Sequence, residues 1–209
     1  MGRRGLLAAF RLAFGLLTLA AIGVQLVTLA NEGHLDLVNY FSYFTILSNL
    51  IGATLLLVGV ARWRSPRSPR IDLLRGGAVV YLTVTLIVFA ILLADTDVDL
   101  AIPWVNSVLH EIIPIVVIID WLIDPPTTRL TNRQGLLWLT FPAGWIVYVM
   151  IRGALVDRYP YPFLDPANGG YGTVATYIVM ILVLMVAMCT AVVAVGNWAR
   201  SRHDMAAAA

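Results

Sequence analysis

Six long apolar runs, separated by short polar links, constrain this chain more than any other feature of its sequence. The runs cover residues 6–30, 38–61, 72–94, 103–123, 135–156 and 171–198. About 20 consecutive apolar residues form a helix long enough to cross a bilayer, and lipid offers backbone polar groups no partner outside a helix or a closed barrel. The sequence therefore predicts an all-α polytopic membrane protein, with residues 1–209 forming a single domain of six transmembrane helices.

The arginines indicate how these helices are oriented. All 14 basic residues are arginines, and 12 of them lie near the N-terminus, around the second-to-third and fourth-to-fifth links, or near the C-terminus. Positively charged residues concentrate on the cytoplasmic side of a membrane. We therefore expect both termini and the link at residues 64–70 to be cytoplasmic, and the acidic link at residues 95–99 to be external.

The composition excludes several kinds of chemistry. The net charge of +2 argues against a nucleic-acid partner, and the absence of lysine excludes a Schiff base. The single cysteine, Cys189, cannot form an intrachain disulfide. Only one of the three histidines, His110, falls within a predicted helix, so we expect no haem, no metal and no other cofactor. The expected partners are the lipid bilayer and a membrane lipid substrate, and the oligomeric state is not predicted.

Polar residues gather at one level of the predicted bundle. Ser42, Thr45 and Asn49 are spaced i, i+3 and i+7, which places them on one face of a helix. The second and fourth helices enter from the same side, and Thr45 and His110 each lie seven residues inside, about 10 Å deep at 1.5 Å per residue. Further polar residues near this level are Ser48, Asn106, Glu111, Tyr148 and Arg152. Such a layer either links helices by hydrogen bonds or forms a functional site.

Three short motifs carry a resemblance to a known family. They are Tyr-Phe-Thr-Ile at 43–46, Trp-Val-Asn-Ser-Val-Leu-His at 104–110 and Tyr-Pro-Phe-Leu-Asp at 161–165. In this order they resemble the androgen-induced gene and androgen-dependent TFPI-regulating protein family (FAR-17a-like), and are most similar to its six-span bacterial members. The resemblance covers about residues 38–175. The first, third and sixth predicted helices add little to it beyond their hydrophobicity.

The resemblance implies an activity and a location. Animal members of the family are threonine hydrolases that cleave fatty-acid esters of hydroxy fatty acids, and their catalytic residues correspond to Thr45 as nucleophile and His110 as base. The bacterial members imply a multi-pass protein of the bacterial plasma membrane. This chain departs from the family in having Glu111 directly after the histidine and Pro114 one position early. Both departures affect the expected pocket and substrate more than the two catalytic roles.

The same chemistry follows from the residue types, although several roles stay open. A threonine hydroxyl becomes a useful nucleophile when a histidine takes its proton. The candidate donors to the reacting oxygen are Ser48, Asn49 and Asn106. Arg152 pairs either with a carboxylate of the substrate or with Glu111. Asn106 and Glu111 compete to orient His110, and the proline-rich link at 159–166 is either an interfacial aromatic belt or a lid.

Two other classes of protein remain as alternatives to the lipid ester hydrolase. One is a small-molecule transporter whose polar layer forms a substrate path, and the other is a non-catalytic membrane scaffold. The polar layer lies in the external half of the predicted bundle. The cytoplasmic half of the second, fifth and sixth helices is almost wholly apolar, which argues against a path across the membrane. Asp120 is an exception, and we expect it to lie with Trp121 at the inner membrane interface.

Overall fold

The computed structural model describes residues 2–93 and 102–208. The regular structure of these residues is helical, with no strand. The main helices are α1 (Arg3–Asn31), α2 (Leu37–Tyr40), α3 (Phe44–Ala61), α4 (Pro69–Val88), α5 (Pro103–Ser107), α6 (Ile113–Ile123), α7 (Asn132–Leu136), α8 (Thr140–Val156) and α9 (Gly170–Ala208). A π-helical turn, Phe89–Leu93, extends α4, and a second one, Val108–Ile112, joins α5 to α6. A 3-10 turn, Leu137–Leu139, joins α7 to α8. Two more, Pro162–Leu164 and Pro166–Asn168, lie in the link before α9.

Six of the resulting helical segments are long and apolar enough to cross a membrane, as the sequence predicts. They are Arg3–Asn31, Phe44–Ala61, Pro69–Leu93, Pro103–Ile123, Asn132–Val156 and Gly170–Met205. Proline begins α4 and α5 at a position where the missing N–H costs no helical hydrogen bond. The acidic link predicted at residues 95–99 lies outside the described residues.

The start of the second predicted helix differs from the prediction. The expected helix at 38–61 is divided into α2 and α3 by a turn around Phe41 and Ser42. Asp36 begins α2 by accepting a hydrogen bond from the Asn39 N–H at 2.9 Å, which favours a short separate helix. Ser42 therefore does not share a continuous helix face with Thr45.

The bundle is built around α3 and α4. Helix α3 packs against α1 and α4, and α4 also packs against α6 and α9. Close approach depends on glycine at some of these contacts: a Cβ atom at Gly52 would lie 2.7 Å from Leu82 Cδ1, and one at Gly196 would lie 2.7 Å from Trp121 Cζ2. Small residues allow this kind of packing between apolar helices.

The two ends of the bundle can be told apart by their contacts. At one end Arg3 donates to the Ile123 carbonyl at 2.8 Å and lies 2.5 Å from His203, so both chain termini and the end of α6 meet there. We name this the arginine end. At the other end Arg158 and Asp36 form an ion pair at 3.3 Å, which joins the first and last links. We name this the loop end.

A buried ion cluster lies toward the arginine end, and it includes Asp120. Its members are Arg11, Arg67, Arg75, Asp72, Asp120 and Asp124. Asp120 is only 5% exposed and contacts the guanidinium groups of Arg11 and Arg75, each at 2.6 Å. Trp121 is 2% exposed and donates its indole N–H to the Val192 carbonyl at 3.2 Å. Both residues are therefore packed between helices toward the arginine end, and their depth relative to a membrane stays a prediction.

Candidate active site

Thr45 and His110 come into contact near the loop end of the bundle. Thr45 Oγ1 lies 3.3 Å from His110 Nε2, although 65 positions separate the two residues in the chain. Thr45 is 6% exposed and is the second residue of α3. A hydroxyl and a ring nitrogen at this distance are within reach for proton transfer. The distance lies in the range expected of a nucleophile and its base.

The hydrogen bonds of His110 determine which ring nitrogen carries the proton. His110 Nδ1 lies 3.1 Å from the main-chain carbonyl oxygen of Asn106. A carbonyl can only accept, so Nδ1 is the protonated nitrogen and Nε2 presents its lone pair to Thr45. The Phe89 ring stacks on the imidazole, with 4.3 Å between ring centroids. Neither the Asn106 side chain nor Glu111 orients His110; the main chain does.

The π-helical turn that carries His110 is stabilised by Asn49. In this turn Ile113 donates to the Val108 carbonyl, five residues earlier, instead of the usual four. Pro114 has no N–H to donate to the Leu109 carbonyl, and the Asn49 side chain donates to that carbonyl at 2.9 Å. Its other N–H donates to the Thr45 carbonyl, also at 2.9 Å. Asn49 thus links α3, which carries Thr45, to the turn that carries His110.

Tyr161, the first residue of the motif at 161–165, joins the site although the sequence assigned it no role there. It lies just before the turn Pro162–Leu164 and is 8% exposed. Its hydroxyl lies 3.3 Å from the Thr45 N and 3.3 Å from Thr45 Oγ1, so it accepts from the main-chain N–H. Burial raises the pKa of Tyr161 to about 12, so the phenol keeps its proton at neutral pH. The available signal was a tyrosine held between two prolines in a link assigned to a belt or a lid.

The remaining hydroxyls of the predicted layer have structural partners. Ser48 donates to the Thr45 carbonyl at 3.1 Å and lies 3.3 Å from Thr85 Oγ1. Ser42 donates to the Val38 carbonyl at 2.6 Å, and its Oγ lies 3.0 Å from the Tyr148 hydroxyl. The Ser42 bonds hold the turn before α3 against α8, and the Ser48 bonds join α3 to α4.

Arg152 and Glu111 do not come together. Arg152 donates to Asn39 Oδ1 at 3.4 Å and to the Arg158 carbonyl at 3.2 Å. Glu111 is exposed at the bundle surface, and no ion pair joins it to Arg152 among the described residues. The alternative in which Arg152 neutralises Glu111 is therefore wrong. Adjacent helical residues point about 100° apart, which is why Glu111 faces away when His110 faces Thr45.

The contact between Thr45 and His110 lies where two cavities meet. An apolar cavity of about 230 Å³ extends between α4, α8 and α9, and its wall includes Val84, Ala143, Ile178, Ile181 and Met185. A second cavity of about 620 Å³ lies at the loop end, and its wall includes Gln25, His34, Asp36, Asn39, Asn106 and Arg158. Both cavities are lined by Thr45, Phe89, Leu93, His110 and Tyr161. The pair is therefore accessible from an apolar side and from a polar side.

The fold and the site together define a class: a helical bundle with six segments long enough to span a membrane and a partly buried cluster of threonine, histidine and tyrosine between a polar and an apolar cavity. No protein-family model matches this chain, and comparison with curated proteins and with solved structures finds no match.

Proposed function

We propose that this protein is an intramembrane threonine hydrolase that cleaves fatty-acid esters. The observation that carries the proposal is the 3.3 Å contact between Thr45 Oγ1 and His110 Nε2, with the imidazole held in the tautomer that accepts a proton. The resemblance to the FAR-17a-like family adds support, because its three motifs contribute Thr45, His110 and Tyr161 to one cluster.

The residues perform the reaction in two steps. His110 Nε2 takes the Thr45 hydroxyl proton while Thr45 Oγ1 bonds to the ester carbonyl carbon, and the resulting tetrahedral intermediate expels the alcohol, which receives that proton. The acyl group is then held as an ester on Thr45. A water molecule from the polar cavity gives a proton to His110 and attacks the acyl carbon. The fatty acid leaves, and Thr45 recovers its proton from His110.

The two cavities indicate how an ester would be oriented. The apolar cavity suits an acyl chain, and the polar cavity suits the alcohol part and the attacking water. If the alcohol part carries a free carboxylate, as a hydroxy fatty acid does, Arg158 lines the cavity that receives it. Arg152, which the sequence suggested for that role, instead donates a hydrogen bond to the main-chain carbonyl of Arg158.

The transporter and the scaffold are less well supported than the hydrolase. On α3 the buried residues beyond Asn49 are Gly52, Ala53 and Leu56, so this helix presents no buried polar side chain between the site and the arginine end. The charges of the ion cluster are engaged with one another rather than with an open path. A scaffold has no need for an imidazole that faces a hydroxyl across the junction of two cavities.

The decisive experiment is covalent labelling of the purified protein in detergent with a fluorophosphonate probe. We expect one phosphonylated residue, identified as Thr45 by peptide mass spectrometry, because His110 makes that hydroxyl nucleophilic. A heat-denatured sample provides the control for non-specific labelling. A folded protein that shows neither labelling of Thr45 nor hydrolysis of any acyl ester would return the chain to the transporter or scaffold class.

The apolar cavity gives a prediction about acyl-chain length. In the Ala143→Phe variant a ring would fill part of this cavity, so hydrolysis of long-chain esters should fall about tenfold, the loss expected when roughly two methylene groups can no longer be buried. Acetyl esters should be hydrolysed at the normal rate. The matched control is Val147→Phe, one turn further along the same helix and outside the wall of this cavity, which should hydrolyse both substrates normally. Equal loss on both esters in Ala143→Phe would contradict this assignment.

We further propose that the protein lies in a bacterial plasma membrane with both termini in the cytoplasm. The resemblance to bacterial family members supports the location. The orientation is supported by the arginines, because 12 of the 14 fall around one set of links and termini. In a Cys189→Ser background, a cysteine replacing Ser68 should react with an impermeant maleimide only after the membrane is opened. A cysteine replacing Glu32, at the loop end, should react in intact cells. The reverse pattern would refute this orientation.

A further inference from the structure

Ester hydrolysis at Thr45 creates a negative charge on the carbonyl oxygen of the substrate. Two of the three hydrogen-bond donors that the sequence predicts for this charge are engaged elsewhere. When Thr45 Oγ1 bonds to the carbonyl carbon, the electron pair of the C=O π bond moves to the carbonyl oxygen. Both N–H groups of the Asn49 side chain already donate to main-chain carbonyls, and the Ser48 hydroxyl donates to the Thr45 carbonyl. The third candidate, Asn106, lines the polar cavity, and no hydrogen bond joins its side chain to Thr45 or His110 among the described residues. The donors in contact with Thr45 are instead the Tyr161 hydroxyl and the main-chain N–H of Thr45 itself.

We propose that the Tyr161 hydroxyl and the main-chain N–H of Thr45 form the oxyanion-binding site of the proposed hydrolase. This inference rests on the hydrolase function proposed above. It makes Tyr161 a third catalytic residue, supplied by the link between α8 and α9 rather than by a membrane-spanning helix.

The Thr45 N–H is available because of where α3 begins. The helix starts at Phe44, so the Thr45 N–H belongs to the first turn, whose N–H groups have no acceptor within the helix. It donates instead to the Tyr161 hydroxyl over 3.3 Å, a long hydrogen bond that a charged oxygen would readily replace. The positive end of the helix dipole lies at the same place and favours a negative charge.

The Tyr161 hydroxyl is placed to donate to the same oxygen. It lies 3.3 Å from Thr45 Oγ1, the atom to which the acyl carbon becomes bonded, so an oxygen on that carbon falls within its reach. The ring is fixed by an edge contact with Tyr43 at 5.5 Å and by stacking on Phe163 at 5.1 Å. Pro160 and Pro162 restrict the backbone on both sides. A donor held in place before the reaction costs little to align when the charge forms.

The step balances with the residues present. One C–O bond forms between Thr45 and the substrate, the proton passes from Thr45 Oγ1 to His110 Nε2, and the negative charge rests on the former carbonyl oxygen. That oxygen accepts one hydrogen bond from the Tyr161 hydroxyl and one from the Thr45 N–H. When the alcohol leaves, the C=O bond is restored, and Tyr161 accepts from the Thr45 N–H again.

The test compares Tyr161→Phe with the wild-type protein on two p-nitrophenyl substrates, an acyl ester and the corresponding thionoester. Sulfur accepts hydrogen bonds weakly, so the thionoester gains little from an oxyanion site. Loss of one such donor lowers kcat by about 10²–10³-fold in other hydrolases. We expect a loss of this size on the oxygen ester, little change in KM and a much smaller loss on the thionoester. The control, Tyr159→Phe, removes a hydroxyl from the same link and should leave the rate ratio of the two substrates unchanged.

A second variant addresses the risk that Tyr161→Phe disturbs folding. Incorporation of 3,5-difluorotyrosine at position 161 keeps the ring and the hydroxyl but makes the phenol more acidic. Because an ionised phenol cannot donate, activity at alkaline pH should be lost at a lower pH than in the wild-type protein. The shift should follow the difference between the pKa values of the two phenols.

Three outcomes would overturn the role of Tyr161. They are a Tyr161→Phe variant with wild-type kcat, a variant that loses the same factor on both substrates, and a difluorotyrosine variant with an unchanged alkaline limit. None of them affects the hydrolase proposal as long as the fluorophosphonate labels Thr45 of the wild-type protein. Absence of that label, by contrast, ends both proposals.

Discussion

Replacing Thr45 or His110 by alanine should abolish ester hydrolysis and leave a bundle that survives detergent extraction. Thr45→Ala removes the proposed nucleophile, and His110→Ala removes the proposed base, a contribution of about 10²–10⁴-fold by itself. Neither change should unfold the protein, since the helices are held by many other contacts. The measurements are the rate of acyl-ester hydrolysis and the melting temperature in the same detergent.

The two residues should behave as one unit. The double variant should be scarcely less active than either single variant, because residues that act together lose their joint effect with the first substitution. Thr45→Ser should keep part of the activity, since the hydroxyl remains. Ser48→Ala is the matched control: it removes a buried hydroxyl one turn further along α3 that donates to the Thr45 carbonyl and not to His110. Substantial hydrolysis by Thr45→Ala would show that another nucleophile is used.

Replacing Asp120 by asparagine should destabilise the protein more than any change at the active site. The Asp120 carboxylate is shared by Arg11 and Arg75, which are 8% and 7% exposed. Asparagine has nearly the same size but no charge, so both guanidinium groups would lose a buried partner. Removing one member of a buried ion pair costs roughly 3–5 kcal/mol. The melting temperature measured in detergent should fall accordingly.

An exposed ion pair at the same end of the protein provides the control. Arg200 and Asp204 lie one turn apart on α9 at 3.6 Å, and the Asp204 side chain is 69% exposed. Asp204→Asn should change stability by less than about 1 kcal/mol, as exposed pairs usually do. In the double variant Arg11→Leu/Asp120→Leu one positive and one negative charge are removed together, so part of the stability should return. A melting temperature of Asp120→Asn equal to that of Asp204→Asn would contradict the importance of the cluster.

Some features of this protein follow from the sequence because they depend only on distance along a helix. The number of spanning segments comes from the length of the apolar runs. The depth of a residue comes from its position in a run, since a helix rises 1.5 Å per residue. That relation was sufficient to place Thr45 and His110 at the same level. Their separation of 3.3 Å agrees with the prediction, while the catalytic role remains a proposal.

Other features depend on how the helices are rotated and on where the links fold, and these required the tertiary structure. Asp120 meets Arg11 across 109 positions of the chain, and Tyr161 meets Thr45 across 116. The sequence gives a depth for each helical residue but not the neighbour it faces, because rotation about the helix axis is set by packing against the other helices. A link without regular structure has no periodic pattern that would locate a side chain such as Tyr161.

The orientation of His110 illustrates the same division. A histidine and a threonine at equal depth can be read from the sequence. The acceptor for Nδ1 is the main-chain carbonyl of Asn106, one turn earlier in α5. His110 itself lies in a π-helical turn, whose open carbonyl at Leu109 accepts from Asn49. Main-chain acceptors carry no residue identity, and a π-helical turn has no strong signature in residue type. The sequence by itself therefore determined the helices and the level of the site, whereas only the packed structure decided which atoms face one another there.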